Sequence, residues 1–308
     1  MNLPQHRSTL LLFLFISISL FSQAQVVRID SAALWKKSLK AGLNLNQSSF
    51  SSNWKAGGVN SFGFNAFFNY KPNFKSGSRT WSNEIDLLYG MVNNDGQGFR
   101  KTLDRIYLDT KFGYSLNEKW GYFTALNFSS QFTEGFKFTK DANGVEQGKL
   151  ISDFLAPAFI TGSIGFEYHP GDNFKLRMAP MASRITIVQN SDRYLAVDSL
   201  APYGVEVGET YRIEALAFQL LAEYNADIAE NLSLKWRYLM FANYQTLEAK
   251  TIDHRLDLNL TAKVNKFVNV SLGGILLYDF DQDSGVQLSQ AFSLGVLYTF
   301  QNYKDKKK

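Results

Sequence analysis

The chain has 308 residues, a formal net charge of +4 and no cysteine. The near balance of charge argues against nucleic-acid binding, and the lack of cysteine excludes disulfides and thiolate metal sites. Aromatic residues make up 15% of the chain, with 26 Phe and 15 Tyr but only 6 Pro, a composition that favours strands. A mean hydropathy of -0.18 is too low for a helical membrane protein, whereas a membrane β-barrel can be this polar because alternate residues face its lumen.

The N-terminal segment has the features of a secretory signal peptide. His6 and Arg7 precede an apolar run over residues 10–21, and small residues follow up to Ala24. The apolar run is shorter than the ~20 residues that a membrane-spanning helix needs. We therefore predict cleavage after Ala24, leaving a short periplasmic segment over residues 25–34.

From Trp35 onward, apolar and polar residues alternate with period two over long segments. The clearest example sets Leu232, Leu234 and Trp236 against Lys235 and Arg237, residues that a helix would scatter around its axis. Segments of ten or more residues are long enough to cross a membrane as tilted strands. The pattern predicts twelve strands, near residues 39–49, 59–71, 80–92, 101–116, 119–133, 154–168, 173–188, 211–226, 231–246, 253–265, 267–281 and 287–300.

The connections between these strands also alternate in length. Short turns follow even-numbered strands, whereas the longest links, residues 134–153 and 189–210, follow odd-numbered ones. Outer-membrane barrels have short periplasmic turns and longer external loops. The predicted fold is therefore all-β, a transmembrane antiparallel up-and-down barrel of about twelve strands over residues 35–300. Both termini, including a basic tail at 301–308, are predicted to be periplasmic.

Two further patterns refine the prediction. The apolar positions change parity near Ala179 and Pro180 and again near Glu214, which indicates β-bulges. Aromatic residues gather where strands adjoin the short turns, as expected for the aromatic belt of a membrane barrel. A soluble all-β protein would expose the Phe-rich outer faces as a patch far larger than monomers tolerate. We therefore expect export to the outer membrane of a Gram-negative cell.

Several segments resemble a known family. They are LNLNQSSFSSNWKAGGVNS, WSNEIDLLYGMV, RKTLDRIYLDTKFGY, NFSSQFTEGF and ISDFLAPAFITGSIGFEYHP. Together they resemble an uncharacterised outer-membrane β-barrel family that carries only a domain-of-unknown-function label. The resemblance implies an outer-membrane location and no particular activity, ligand or catalytic residue.

The chain offers little for catalysis. After signal cleavage only His169, in a predicted turn, and His254, near the outer end of a strand, remain. A lipid-modifying enzyme with His254 as its base is a remote alternative, so we expect no enzyme. Residues 279–285 resemble a calcium loop in their Asp spacing but lack the rest of the EF-hand pattern, which favours a plain acidic loop tip. No cofactor or metal is predicted.

Alternation places many charged side chains in the lumen. Nine basic and seven acidic residues are assigned inward: Lys40, Arg105, Lys111, Lys175, Arg177, Lys235, Arg237, Arg255, Lys263, Glu84, Asp86, Asp109, Glu167, Glu223, Asp257 and Asp279. The main candidates among them are Arg105, Lys111, Lys235, Arg237, Arg255, Glu84, Asp86 and Asp257. They either line a polar channel that attracts anionic solutes or pair across the interior as a closed filling.

These alternatives give two hypotheses for function. The first is a narrow passive pore or solute-binding channel for small polar or anionic solutes. The second is a closed structural or adhesive barrel that acts through the loops 134–153 and 189–210. The expected partners are outer-membrane lipid, the barrel assembly machinery during biogenesis, and a small polar solute, with no nucleic acid.

Overall fold

The computed structural model describes residues 34–51, 59–194, 201–265 and 267–303. The predicted signal peptide and residues 304–308 of the tail lie outside the described residues. The described residues form fourteen strands, and twelve of them close into one antiparallel barrel. Their bounds are β1 Trp35–Ser48, β2 Ser61–Ser76, β3 Arg79–Asn94, β4 Gly98–Ser115, β5 Trp120–Ser130, β6 Gly135–Lys140, β7 Glu146–Ser152, β8 Ala158–Tyr168, β9 Phe174–Ile187, β10 Tyr211–Ala229, β11 Leu232–Asn243, β12 Asp253–Lys263, β13 Val268–Asp279 and β14 Asp283–Gln301.

Each barrel strand pairs with its sequence neighbour, and β1 pairs with β14 to close the sheet. The hairpin of β6 and β7 stands apart as a two-stranded sheet, so β5 pairs with β8. The prediction of an all-β barrel of twelve antiparallel strands is confirmed. It did not include the β6–β7 hairpin, which lies within the link predicted for residues 134–153.

The barrel has two different ends. At one end, which we call the short-turn end, strands are joined by links such as residues 77–78 and 230–231. The other, which we call the long-loop end, carries residues 131–157 and 188–194 with 201–210. The first residue of β1 and the last of β14 both lie at the short-turn end, since Trp35 is paired with Phe74 and Gln301 with Ser38.

The sheet is apolar outside and polar inside, the reverse of a soluble protein. Large apolar side chains such as Leu43, Phe68 and Phe112 are exposed on the outer surface. Inward-facing residues include buried polar groups such as Glu84 and Asp109. This arrangement matches a barrel whose solvent is lipid on the outside.

Aromatic rings on the outer surface cluster at the short-turn end, as the sequence predicts. Tyr114 stacks on Tyr122 with ring centroids 5.3 Å apart, and Trp120 contacts Tyr168 at 4.6 Å. Tyr224 stacks on Trp236 at 6.0 Å. Such a girdle is typical of the level at which a barrel meets a membrane surface.

The predicted bulges are present. The pairing of β9 with β10 shifts between Glu214 and Ala217 and again between Ala217 and Gln219. The pairing of β8 with β9 shifts between Ile164 and Phe166. Between the bulges and the short-turn end, the inward residues of β9 and β10 have odd numbers, as Arg177 and Glu223 do. Beyond the bulges, the inward residues have even numbers, as Arg184 and Glu214 do.

The two longest links fold together into a cap at the long-loop end, formed by residues 131–157 and 188–194 with 201–210. The cap has its own apolar cluster of Ala156, Val188, Tyr194 and Val205, all buried. The Tyr203 hydroxyl donates to the carbonyl oxygen of Ile151 at 2.5 Å. Burial raises the pKa of Tyr203, so that its hydroxyl stays protonated as a donor.

Candidate functional site: the charged lumen

The inward-facing charges of the middle strands form one network. Arg237 on β11 contacts Glu84 on β3 at 2.9 Å and Glu223 on β10 at 2.8 Å. Glu84 also accepts hydrogen bonds from Lys71 at 2.9 Å and Asn69 at 2.8 Å. Glu84 therefore has three polar partners and Arg237 has two.

A second group of the same network surrounds Arg105 on β4. Its guanidinium contacts Asp86 on β3 and reaches Asp257 on β12 at 3.1 Å. Asp257 is also held by Arg255, at 2.8 Å. Asp257 therefore joins two arginines that come from different sides of the barrel.

Two of these ion pairs cross the whole lumen. In the closed strand order, β3 and β11 are separated by five strands on either side, and so are β4 and β12. The contacts Arg237 to Glu84 and Arg105 to Asp257 thus join diametrically opposite walls. The charged side chains at this level of the lumen are here called the ion-pair layer. They are Arg105, Arg177, Arg237 and Arg255 with Glu84, Asp86, Asp109, Glu223 and Asp257. These side chains restrict the lumen at mid-height.

A third group lies toward the short-turn end. Lys111 is buried and contacts Glu167, which also accepts a hydrogen bond from Arg177 at 3.3 Å. Arg177 contacts Asp109 at 3.2 Å. His169 contacts Glu167 through Nε2 at 2.6 Å, so this turn histidine supports an interior carboxylate.

Above the ion-pair layer, toward the long-loop end, lies a cavity of about 390 Å³, which we call the upper cavity. Its walls combine apolar side chains, including Leu103, Leu221 and Leu239, with amides such as Gln219. All four arginines of the ion-pair layer line it. This size is at the small end of the range for ligand pockets.

Further ion pairs lie at the mouth above this cavity. Arg184 contacts Asp253 at 2.6 Å, and Arg212 contacts Asp281 at 2.5 Å. The cap lies directly against this second pair, since a side chain at Gly204 would collide with the Arg212 guanidinium. The cap therefore partly roofs the lumen.

The main candidates from the sequence face the lumen together. Arg105, Arg237, Arg255, Glu84, Asp86 and Asp257 are within the ion-pair layer, and Lys111 lies below it. Lys235 also faces inward but belongs to no ion pair among the described residues, and it is exposed to the lumen. In the expected row of Lys235, Arg237 and Arg255, the Lys235 ammonium group is therefore exposed, whereas the two guanidinium groups are held in ion pairs.

Sequence reasoning missed several lumen charges, among them Lys71, Arg184, Arg212 and Glu214. Lys71 shares the parity of the inward residues of β2 and is the last residue of the strand predicted over 59–71, so alternation could have identified it. The other three lie beyond the bulges, where the parity is reversed. The parity change itself was visible in the sequence and could have identified them.

The other sequence candidates have ordinary partners. His254 lies on the outer surface, where its Nδ1 is 2.7 Å from the Tyr238 hydroxyl. Asp279 accepts a hydrogen bond from Gln282 at 2.6 Å, and Asp281 is engaged by Arg212. Within the part of the chain that the structure describes, no cluster of His, Asp or Glu has an arrangement that could hold a metal ion. None of the described helices, all of three residues, could cross a membrane.

Comparisons with solved structures returned outer-membrane β-barrels. The translocator domain of the autotransporter NalP from Neisseria meningitidis is 8% identical, with a TM-score of 0.38 and coverage of 96% of this chain and 98% of that one. An outer membrane channel from Pseudomonas putida F1 is 8% identical, with a TM-score of 0.40 and coverage of 90% and 98%. The NanC porin is 6% identical, with a TM-score of 0.38 and coverage of 84% and 98%. The barrel assignment itself rests on the strand pairing described above.

Comparisons of sequence are more limited. No curated protein matches the chain. A family model described as "Protein of unknown function (DUF3078)" matches residues 45–136, which run from β1 to β6. The predicted resemblance to a family that carries only a domain-of-unknown-function label is confirmed over these residues.

Proposed function

We propose that this protein is an outer-membrane barrel that works as a narrow solute-binding channel for small polar or anionic solutes. In this proposal the long-loop end faces the exterior and both termini are periplasmic, because outer-membrane barrels carry their longer loops outside. The apolar outer surface and its aromatic girdle support this location. A solute enters the upper cavity and meets the ion-pair layer as the limiting barrier.

The observation that carries the proposal is the upper cavity with four arginines at its floor. Each guanidinium has five N–H donors in a planar fork. The side chains of Arg105 and Arg255 remain 28% and 31% exposed although both contact carboxylates. The floor therefore presents donors suited to a carboxylate, phosphate or hydroxyl group.

Ion selectivity in a planar bilayer tests the proposal. The refolded mature protein should give small, discrete conductance steps, with a reversal potential displaced toward anions in a salt gradient. The double variant Lys235→Ala/Arg237→Ala should move the reversal potential toward cations, because two positive charges leave the lumen. Lys149→Ala, on the β6–β7 hairpin, is the matched control and should leave the selectivity unchanged. Unchanged selectivity in the lumen variant would contradict the assigned roles.

The cross-lumen ion pairs also favour a second candidate, a closed barrel that acts through its cap. Paired charges that join opposite walls can serve as a filling rather than as a filter. In that case the inserted barrel gives no conductance, and cells that display it lose adhesion when residues 134–153 and 189–210 are replaced by short turns. Adhesion that survives the replacement would count against this candidate.

A further inference from the structure

The short-turn half of the lumen contains an excess of lysine. Many inward-facing lysines gather there by strand register, whereas two inward carboxylates of the described strands lie below the ion-pair layer. The lysines include Lys40, Lys71, Lys111, Lys175, Lys235 and Lys263, and the carboxylates are Glu167 and Asp227. Lys40, Lys175, Lys235 and Lys263 are exposed to the lumen.

The carboxylates nearest to these lysines, in the ion-pair layer and below it, are already shared. Glu84 is contacted by Lys71 and Arg237, Glu167 by Lys111 and Arg177, and Glu223 by Arg237. Asp227 lies next to a short turn, in register with Ser233. Within the described ranges of the chain, no ion pair neutralises Lys175, Lys235 or Lys263.

Lys235 lies at the centre of this region. The ammonium group of Lys71, on the nearly opposite wall, is a like charge at a neighbouring level, since it contacts Glu84, which also contacts Arg237, two residues along β11 from Lys235. Such a pair of like charges opposes folding unless a counter-charge relieves it. Two ammonium groups that face the same lumen from nearly opposite walls therefore favour an anion between them.

Neutral hydrogen-bond donors surround the same ammonium group. Lys235 is in register with Asn225 on β10 and Asn259 on β12, and both amides face the lumen. The Thr261 hydroxyl donates to Oδ1 of Asn259 at 2.7 Å. Since that oxygen is engaged, the Asn259 NH₂ group is the part of the amide left to donate. Ammonium and amide donors together suit an oxyanion with several oxygens.

The opposite end of the lumen has the reverse charge. At the mouth, Glu214, Asp253, Asp279 and Asp281 face two arginines, Arg184 and Arg212. The fixed charge along the lumen therefore changes from acidic at the long-loop end to basic at the short-turn end. This gradient draws an anion toward the short-turn half.

We propose that Lys40, Lys71, Lys175, Lys235 and Lys263, the lysine vestibule, form a binding site for a small polyvalent oxyanion of the phosphate or polycarboxylate class, open at the short-turn end. Lys71 and Lys235 hold the anion from opposite walls, and Asn225 and Asn259 donate to its oxygens. This site is separate from the upper cavity and does not require a solute to cross the ion-pair layer. Its failure and the failure of the channel proposal are therefore distinguishable.

Titration calorimetry with inorganic pyrophosphate on the refolded mature protein tests the site, at constant ionic strength maintained with chloride. Saturable binding is expected, weakened at least tenfold in Lys71→Gln/Lys235→Gln. The control Lys137→Gln/Lys149→Gln removes two lysines from the β6–β7 hairpin and should bind as the unaltered protein does. Absence of saturable binding, or equal weakening in both double variants, would overturn the proposal.

A second measurement needs no variant and decides the matter if the lumen variant fails to fold. A small water-soluble acylating reagent is applied to the unaltered protein with and without pyrophosphate, and labelling is read by mass spectrometry. Pyrophosphate should slow acylation of Lys235 at least fivefold and leave that of Lys149 unchanged. Equal protection of the two lysines, or no protection of Lys235, would contradict the site.

Discussion

The contact between Arg237 and Glu84 across the lumen should appear as a large coupling energy. The side chains are 15% and 8% exposed and lie 2.9 Å apart, so the pair is largely removed from bulk water. Removing one member of such a pair typically costs about 3–5 kcal/mol. Each residue keeps another charged partner, Glu223 for Arg237 and Lys71 for Glu84, so we expect Glu84→Gln and Arg237→Gln each to cost about 3 kcal/mol, the lower end of that range.

The double variant Glu84→Gln/Arg237→Gln gives the coupling. We expect about 1.5–3 kcal/mol, the value of a hydrogen bond to a charged group. The free energy of unfolding would be measured by urea titration in lipid vesicles, followed by tryptophan fluorescence. A control cycle that combines Glu84→Gln with Lys149→Gln should be additive, since the β6–β7 hairpin shares no partner with Glu84. A coupling below about 0.5 kcal/mol would refute the cross-lumen contact.

Three further outcomes are expected. Gly165→Ala should destabilise the barrel by about 1–3 kcal/mol, because its methyl group would lie 2.0 Å from a backbone oxygen of β9. Gly162→Ala, with open space around it, should be tolerated. Equal urea midpoints for the two variants would contradict this packing. Tyr203→Phe should cost the cap about 1 kcal/mol and speed its proteolysis while the barrel stays intact. The Arg100 guanidinium lowers the pKa of Glu146, so their contact stabilises the folded hairpin at pH values above the ordinary pKa of a Glu. This stabilisation is lost as the pH falls through the lowered pKa. Hydrogen exchange of the hairpin should therefore rise in acid, and Glu146→Gln should abolish that dependence.

Most of the barrel could be predicted from alternation alone. A strand with one face in lipid and one in the lumen has to alternate apolar and polar residues along its whole length. The inward and outward residues of β11 and β12 can therefore be assigned one by one. The same rule assigned Arg105, Arg237 and Asp257 to the interior. The signal is local, since it depends only on the next residue but one.

The pairing of these charges could not be predicted in this way. Which residue faces Arg237 depends on the number of strands and their stagger, both of which are properties of the closed barrel. The bulges also reverse the parity of Arg212 and Glu214 relative to Glu223 on the same strand. The β6–β7 hairpin escaped because its strands have six and seven residues and an exposed, mixed composition.

The most direct test of the account is the single-channel conductance of Arg105→Ala/Arg237→Ala beside that of the unaltered barrel. These two arginines form the contacts that join opposite walls, so their removal should widen the ion-pair layer. We expect conductance steps several-fold larger than those of the unaltered protein, with weaker preference for anions. Equal conductance in two correctly inserted barrels would contradict the claim that the ion-pair layer limits the lumen.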